Sequence, residues 1–256
     1  MRPNFATLSV ACREKFQGGL GPLLFGFLLK GGYLLPLLFL WRALAQGGAD
    51  LGGYTLPGLL SYTCASSLLA PLLNVRSPMS NWHYDGRLID LLRRPRPVFI
   101  ELVAQTVGEW VPTLLLYSLP MGVALTLLGV RVLPQTLWAL PCLALGVSLG
   151  FAVDFLFSCF IIHMKDASWV AHAIRAAVTS LLSGAVIPFD LLPWGLGRLF
   201  GLLPLGSLAG APLAVYVGAR AALPTLAVQA FWNAALWPLA ALAFRRSRER
   251  MVSYGG

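Results

Sequence analysis

Six stretches of this chain run for about 20 residues almost without charge, the length a helix needs to cross ~30 Å of hydrocarbon. They are Leu23–Trp41, Tyr54–Leu73, Gln105–Leu128, Thr136–Ile162, Ser168–Val186 and Leu223–Phe244. Composition agrees: 57% of the 256 residues are hydrophobic and 11% charged, where a soluble domain carries about 25% charge. In hydrocarbon every backbone polar group must be satisfied within the chain, so the runs predict helices. The expectation is an all-α polytopic membrane protein of six transmembrane helices. Residues 1–256 form a single membrane domain, since no repeat or low-complexity linker divides them. Cys12, Cys64, Cys142 and Cys159 are far apart, lack a CxxC pattern and read as small apolar residues.

Between the second and third runs lies the exception, Asn81–Pro97, which is polar and charged yet keeps helical spacing. Trp82, Leu88, Ile89, Leu91 and Leu92 recur on one face, and Asp85, Arg87, Asp90, Arg93 and Arg94 fill the other. Ser77 followed by Pro78 is a helix-start signal, with the hydroxyl as cap. Pro95 and Pro97 end the helix. The segment 74–98 therefore predicts a short amphipathic helix outside the membrane that another protein can grip, or a basic loop that only sets topology.

The remaining polar residues are few enough to weigh singly. In residues 1–21, Phe5, Leu8, Cys12 and Phe16 share a face opposite Arg13, Glu14 and Lys15, which suits a helix lying in the interface. Lys30 sits within the first run at a cost of ~3 kcal/mol unless it faces protein or water. Ala43-Leu44-Ala45 mimics a signal-peptidase site, but the run before it is long and holds a lysine. Glu101 and Glu109 are about 12 Å apart by helical rise, too far for paired acid–base work, and read as partners for Arg93, Arg94 or Arg96 or for another protein. Asp154 and Arg175 lie at equal distances from the turn near Met164, so in an antiparallel pair they meet about 15 Å from it; Lys30 is the alternative partner for Asp154. Ser61, Ser66, Gln229 and Asn233 are candidates to line a substrate path, although hydroxyls at small-xxx-small spacing, as at Ser61 and Ala65, also serve helix packing. Residues 187–222 are apolar but broken by Pro188, Pro193, Pro204 and Pro212, and predict short helices dipping into the outer face.

Lys and Arg set the orientation. With the N-terminus inside, the inner segments hold Arg2, Arg13, Lys15, Arg76, Arg87, Arg93, Arg94, Arg96, Lys165 and the C-terminal arginines, and the outer ones only Arg42, Arg131, Arg198 and Arg220. The net charge of +9 is thus explained by topology and anionic membrane lipids, not by nucleic acid. The sequence has no GxxxxGK[ST] loop and no metal-spaced His cluster, so an enzyme is unsupported and no cofactor is expected in this chain. A passive channel and an assembly factor for other membrane proteins remain the competing readings.

Two motifs and their order carry a resemblance. Gly86-Arg87-Leu88 through Leu91-Leu92-Arg93-Arg94-Pro95 resembles the G-x-L-x-x-L-L-x-x-P segment of type-2 ABC exporter permeases, in the bacterial LLRP-motif subgroup. Ser183-Gly184, Ile187-Pro188, Leu192-Pro193, Leu203-Pro204 and Pro212 resemble that family's SG…P…P…P segment before the last span. Arg94 and Pro95-Arg96-Pro97 depart slightly from LLRP. The resemblance implies a permease subunit of the bacterial inner membrane with both termini cytoplasmic, exporting a substrate. It further implies a dimer of ATP-binding subunits that hold ATP and Mg, and a second, non-identical permease. Asn81, Trp82, Asp85, Gly86, Arg87, Leu88, Leu91 and Leu92 would then form the coupling helix docked on the ATPase.

Overall fold

The computed structural model describes residues 7–13, 20–93, 97–162 and 168–253, and among these every regular element is helical. Residues 7–13 form α1. Then come α2 (Leu20–Gln46), α3 (Leu56–Leu68), α4 (Ala70–Leu73), α5 (Met79–Tyr84), α6 (Arg87–Leu92), α7 (Val98–Thr113), α8 (Leu119–Leu127), α9 (Ala139–Ile162), α10 (Ser168–Leu182), α11 (Leu196–Leu202), α12 (Gly210–Tyr216) and α13 (Ala222–Ser253). Among the described residues four helices are long and apolar enough to cross a membrane: Phe25–Gln46, Val98–Leu127, Ala139–Ile161 and Ala222–Ser247. The other two predicted spans differ. The run Tyr54–Leu73 breaks at Leu69 into α3 and α4, where Pro71 has no N–H to continue the ladder. The fifth contributes only a shorter apolar helix, Trp169–Leu182.

Helix α9 is the hub, with α4, α5, α10, α12 and α13 all against it. Its glycines make this close approach possible. A Cβ on Gly150 would lie 2.6 Å from Val75 Cγ2, and one on Gly146 would lie 3.1 Å from Leu208 O. Side chains reaching across hold α13 in place: Gln229 Nε2 donates to Cys142 O (3.0 Å) and Ser207 O (2.9 Å). Asn233 Nδ2 donates to Leu145 O (3.1 Å), and Trp237 Nε1 to Ser148 Oγ (3.0 Å). Bonds of this kind do in an apolar medium what water does elsewhere.

Two hydrophobic clusters occupy opposite ends. One gathers Trp41, Tyr54, Leu59, Tyr62, Leu213 and Tyr216; the other gathers Val75, Met79, Leu88, Leu102, Phe151 and Phe155. Helices α7 and α8 join through a π-helical stretch, Leu114–Ser118, just after Pro112, and this stretch carries the buried Tyr117. Lys30 lies 4.5 Å from the Tyr117 ring centroid, a cation–π contact rather than a pairing with Asp154. At the N-terminus α1 rests on Gly108, where a Cβ would meet Ala11 Cβ at 2.8 Å. Phe5 and Phe16, half of the predicted apolar face, lie outside the described residues, as do Arg94, Arg96 and the turn at 163–167. The last helix continues through the basic run to Ser253.

Residues 187–222 are broken, as their prolines require, into two single 3₁₀ turns and the short helices α11 and α12. The Phe189 ring wedges them together. It lies against Gly184, where a Cβ would come within 2.9 Å of Phe189 Cζ, and against Gly210, where it would come within 2.7 Å of Cε2. Gly184 also has φ +73°, a conformation that costs an L-residue roughly 1–2 kcal/mol. Gly184→Ala is therefore expected to lower the melting temperature in detergent, whereas Gly26→Ala, with nothing within 4 Å, leaves it unchanged or raises it. Equal melting of the two variants would contradict this account of the wedge.

Candidate functional site

The charges predicted to meet do meet. Arg175 Nη1 on α10 donates to Asp154 Oδ1 on α9, with Asp154 0% and Arg175 8% exposed. The pair has two further partners that sequence reasoning missed. Arg175 Nη2 donates to Val75 O (2.7 Å), and the Ser77 N–H donates to Asp154 Oδ2 (3.0 Å). The ion pair thus closes as a clasp on the backbone of residues 75–77, the root of α5. Burying two such charges costs several kcal/mol each, offset only when geometry and extra hydrogen bonds are good. Here both charged groups have a second bond. Ser77 was expected to cap the helix; instead α5 begins after Pro78 with no side-chain cap. The Ser77 amide is given to Asp154, and the Ser77 hydroxyl is buried without a partner among the described residues.

Residues 74–77 are not helical, and they alternate between two surroundings. Val75 and Ser77 face the clasp. Asn74 and Arg76 instead line a cavity of about 530 Å³ between α2, α3–α4 and α10. Its walls carry Leu34 and Leu37 from α2, hydroxyls such as Ser66 from α3, and Thr179 and Ser180 from α10. The far end closes on Ser183 to Val186, where Ser66 Oγ donates to Ala185 O (2.6 Å) and the Tyr62 hydroxyl to Gly184 O.

The four residues expected along a substrate path do not converge. Ser66 lines this cavity. Ser61 lines a different one, of about 910 Å³, beside Arg42 and Arg131 at the opposite end of α3. Gln229 is 0% exposed, and its amide nitrogen, like that of Asn233, bonds backbone carbonyls; both are packing bonds between α13 and α9. Polar residues a helical turn apart signal a shared face, but not whether that face looks onto a cavity or a neighbouring helix.

The segment 79–92 also differs from one amphipathic helix. Gly86, at φ +73°, breaks it into α5 and α6, since a left-handed residue ends a helix. Leu88 is 0% and Leu91 7% exposed; both pack inward with Met79, Leu102 and Phe155. They are covered by this chain, so they are not a free docking face. Asn81, Asp85, Gly86 and Arg87 are exposed, and Trp82 and Leu92 half-buried. Trp82, Arg87 and Asp90 form one wall of an open cleft of about 470 Å³, with Thr7 of α1 and Glu101 of α7 opposite. Burial lowers the pKa of the His83 imidazole below its usual 6.5, so the ring is neutral at neutral pH. Among the described residues no three His, Cys, Asp or Glu side chains come together as a metal site would require.

Removing one partner of a buried pair leaves an uncompensated charge and costs about 3–5 kcal/mol. Asp154→Asn is expected to reduce the yield of monodisperse protein sharply. The double variant Asp154→Asn/Arg175→Gln should recover part of it, and thermal unfolding of all four combinations measures the coupling. Additive losses would show that the two groups do not act as a pair.

No curated protein and no solved structure matches the chain. The family model described as ABC-2 family transporter protein matches residues 32–255, which takes in the clasp, the cavity and α5–α6. A multi-pass chain with apolar helices and a match over nearly its whole length belongs to the ABC-2 transporter family, as the membrane permease component of an ABC transporter.

Proposed function

We propose that this permease subunit exports its cargo through the cavity between α2, α3–α4 and α10, driven by ATP hydrolysed in a separate subunit. The observation that carries the reading is the position of residues 74–77. Asn74 and Arg76 of this short segment line the cavity, the backbone of Val75 and Ser77 is gripped by Asp154 and Arg175, and its end leads directly into α5 and α6. A displacement of α5–α6 is therefore delivered to the cavity wall and, through the clasp, to α9 and α10 together.

In this reading α5–α6 is the coupling element, and it docks through its exposed residues Asn81, Asp85, Gly86 and Arg87. Leu88 and Leu91 hold it to its own chain. ATP and Mg belong to the partner, a dimer of ATP-binding subunits beneath the membrane. The broken helix 56–73 and the short α10 complete six crossings, placing both termini in the cytoplasm of a bacterial inner membrane and residues 187–222 outside. A second, non-identical permease subunit covers the apolar side chains that α2 leaves exposed, among them Leu28, Tyr33 and Phe39.

Co-expression with the ATP-binding subunit tests the docking. Asp85→Ala/Arg87→Ala should leave the permease folded and inserted while transport falls at least about tenfold, the loss of roughly 1.4 kcal/mol of contact. Leu88→Asp should instead abolish the folded protein. Full transport by the double variant would remove α5–α6 as the coupling element, and a channel would show flux with no ATP-binding subunit at all. Topology is checked with a cysteine at the exposed Gly195; an impermeant thiol reagent should label it from outside, and labelling only from the cytoplasm would overturn the six-crossing arrangement.

A further inference from the structure

We propose that the cavity beside the clasp binds an amphiphile with an anionic headgroup, held at Arg76, with its apolar body along α2 and α10. The identification of this ligand as cargo rests on the transport reading above; the binding does not.

Three observations point to this chemistry. First, Arg76 is the one charged residue among those described as lining the cavity. The neighbouring cations are committed elsewhere: Arg175 to Asp154 and Val75 O, and Lys30 over the Tyr117 ring. Arg76 is exposed and makes no ion pair among the described residues, so its guanidinium is available for a fork of hydrogen bonds to a phosphate or carboxylate. Asn74, beside it on the same wall, adds an amide.

Second, four of the hydroxyls lining the cavity are already engaged within the protein. Ser66 Oγ donates to Ala185 O (2.6 Å), Thr63 Oγ1 to Leu59 O (2.9 Å) and Ser180 Oγ to Ala177 O (2.9 Å). Ser67 Oγ shares a bond with the Tyr117 hydroxyl (2.6 Å). A sugar would bring many polar groups against a wall that is mainly apolar, and each unmet group is costly. An alkyl chain asks for none, and Leu34, Leu37, Leu73 and Ala176 offer it apolar contact.

Third, the polarity is one-sided. The charged end lies at the root of α5, and the cavity runs from there to Val186, about 10 Å along α10 by helical rise between Ala176 and Ser183. An amphiphile has this same asymmetry. Its headgroup would sit on the segment that the clasp holds, the one part of the wall joined to α5–α6.

The test uses the full chain in phosphatidylcholine nanodiscs. The probes are an acyl-labelled fluorescent lysophosphatidate, the matching choline ester, and inorganic phosphate as competitor. The lysophosphatidate should bind saturably and about tenfold more tightly than the choline ester, the size of one charge-assisted contact. Arg76→Gln should weaken the lysophosphatidate about tenfold, leave the choline ester unchanged and leave thermal unfolding unchanged; Arg76→Lys should fall between. Equal binding of the two lipids, or no effect of Arg76→Gln, overturns the proposal. Competition by inorganic phosphate at the same concentration also overturns it, because the site would then read a free anion alone. Binding that follows Arg76 as expected, with no stimulation of ATP hydrolysis once the ATP-binding subunit is present, upholds the amphiphile site and sinks only its assignment to cargo.

Discussion

The buried pairing of Asp154 with Arg175 is the interaction on which the arrangement depends. A carboxylate and a guanidinium in an apolar interior are tolerated only together, and only when their remaining hydrogen-bonding capacity is used. Here it is used on main chain: the carboxylate accepts from Ser77 N and the guanidinium donates to Val75 O. Three parts of the chain distant in sequence, α9, α10 and residues 75–77, are thereby set at one depth. Gly150 has to be small for the same reason, since Val75 lies where its Cβ would be. The pair contributes register more than net stability.

Around this point the two ends of the molecule are built differently. At the end holding Tyr54 and Tyr62, hydroxyls and indoles tie helices to loops: Trp41 Nε1 to Thr63 Oγ1 (2.8 Å), Tyr216 to Val132 O (2.7 Å), and Tyr54 to Asp190, which also accepts from Arg220. The broken segment 187–222 is anchored there, its loop backbone satisfied by protein, as backbone away from water must be. At the other end the core is aromatic and aliphatic, with Phe99 set edge-on to Trp237 at 4.9 Å and Leu88 beneath it in the same cluster. That end presents the polar α5–α6 surface. A rigid hub helix between two such ends suits a subunit that takes force at one end and changes access along its length.

The alternation in residues 74–77 gives this arrangement its economy. Four consecutive non-helical residues meet two different environments. On the clasp side the backbone groups Val75 O and Ser77 N are both engaged, and the cavity side carries an arginine with capacity to spare. Whatever occupies the cavity at Arg76 acts on the same few peptide bonds that any movement of α5–α6 must pass through. In the transport reading proposed above, coupling over this single shared segment needs no long chain of intermediates.

The membrane class, four of the six expected helical spans, the breaks at the prolines of 187–222 and the polar stretch after residue 80 could be read in the amino-acid sequence, because apolar length, missing amide donors and helical periodicity are properties of local sequence. So could the meeting of Asp154 and Arg175, since equal counts from one turn place two residues at equal depth in antiparallel helices. The partners of that pair on the backbone could not, because every residue carries the same N–H and C=O and nothing in Val75 or Ser77 marks theirs as chosen. Periodicity likewise grouped Leu88 and Leu91 on one face of the polar stretch, but only packing decided that their own chain covers that face and leaves Asp85 and Arg87 outside. Gln229 and Asn233 share a face by spacing, and tertiary contacts turned it toward α9 rather than a cavity. From the sequence Arg76 is one more basic residue in an inner segment; the path of residues 74–77 sets it in a cavity wall, since the direction of a side chain outside regular structure is decided by what holds its neighbours.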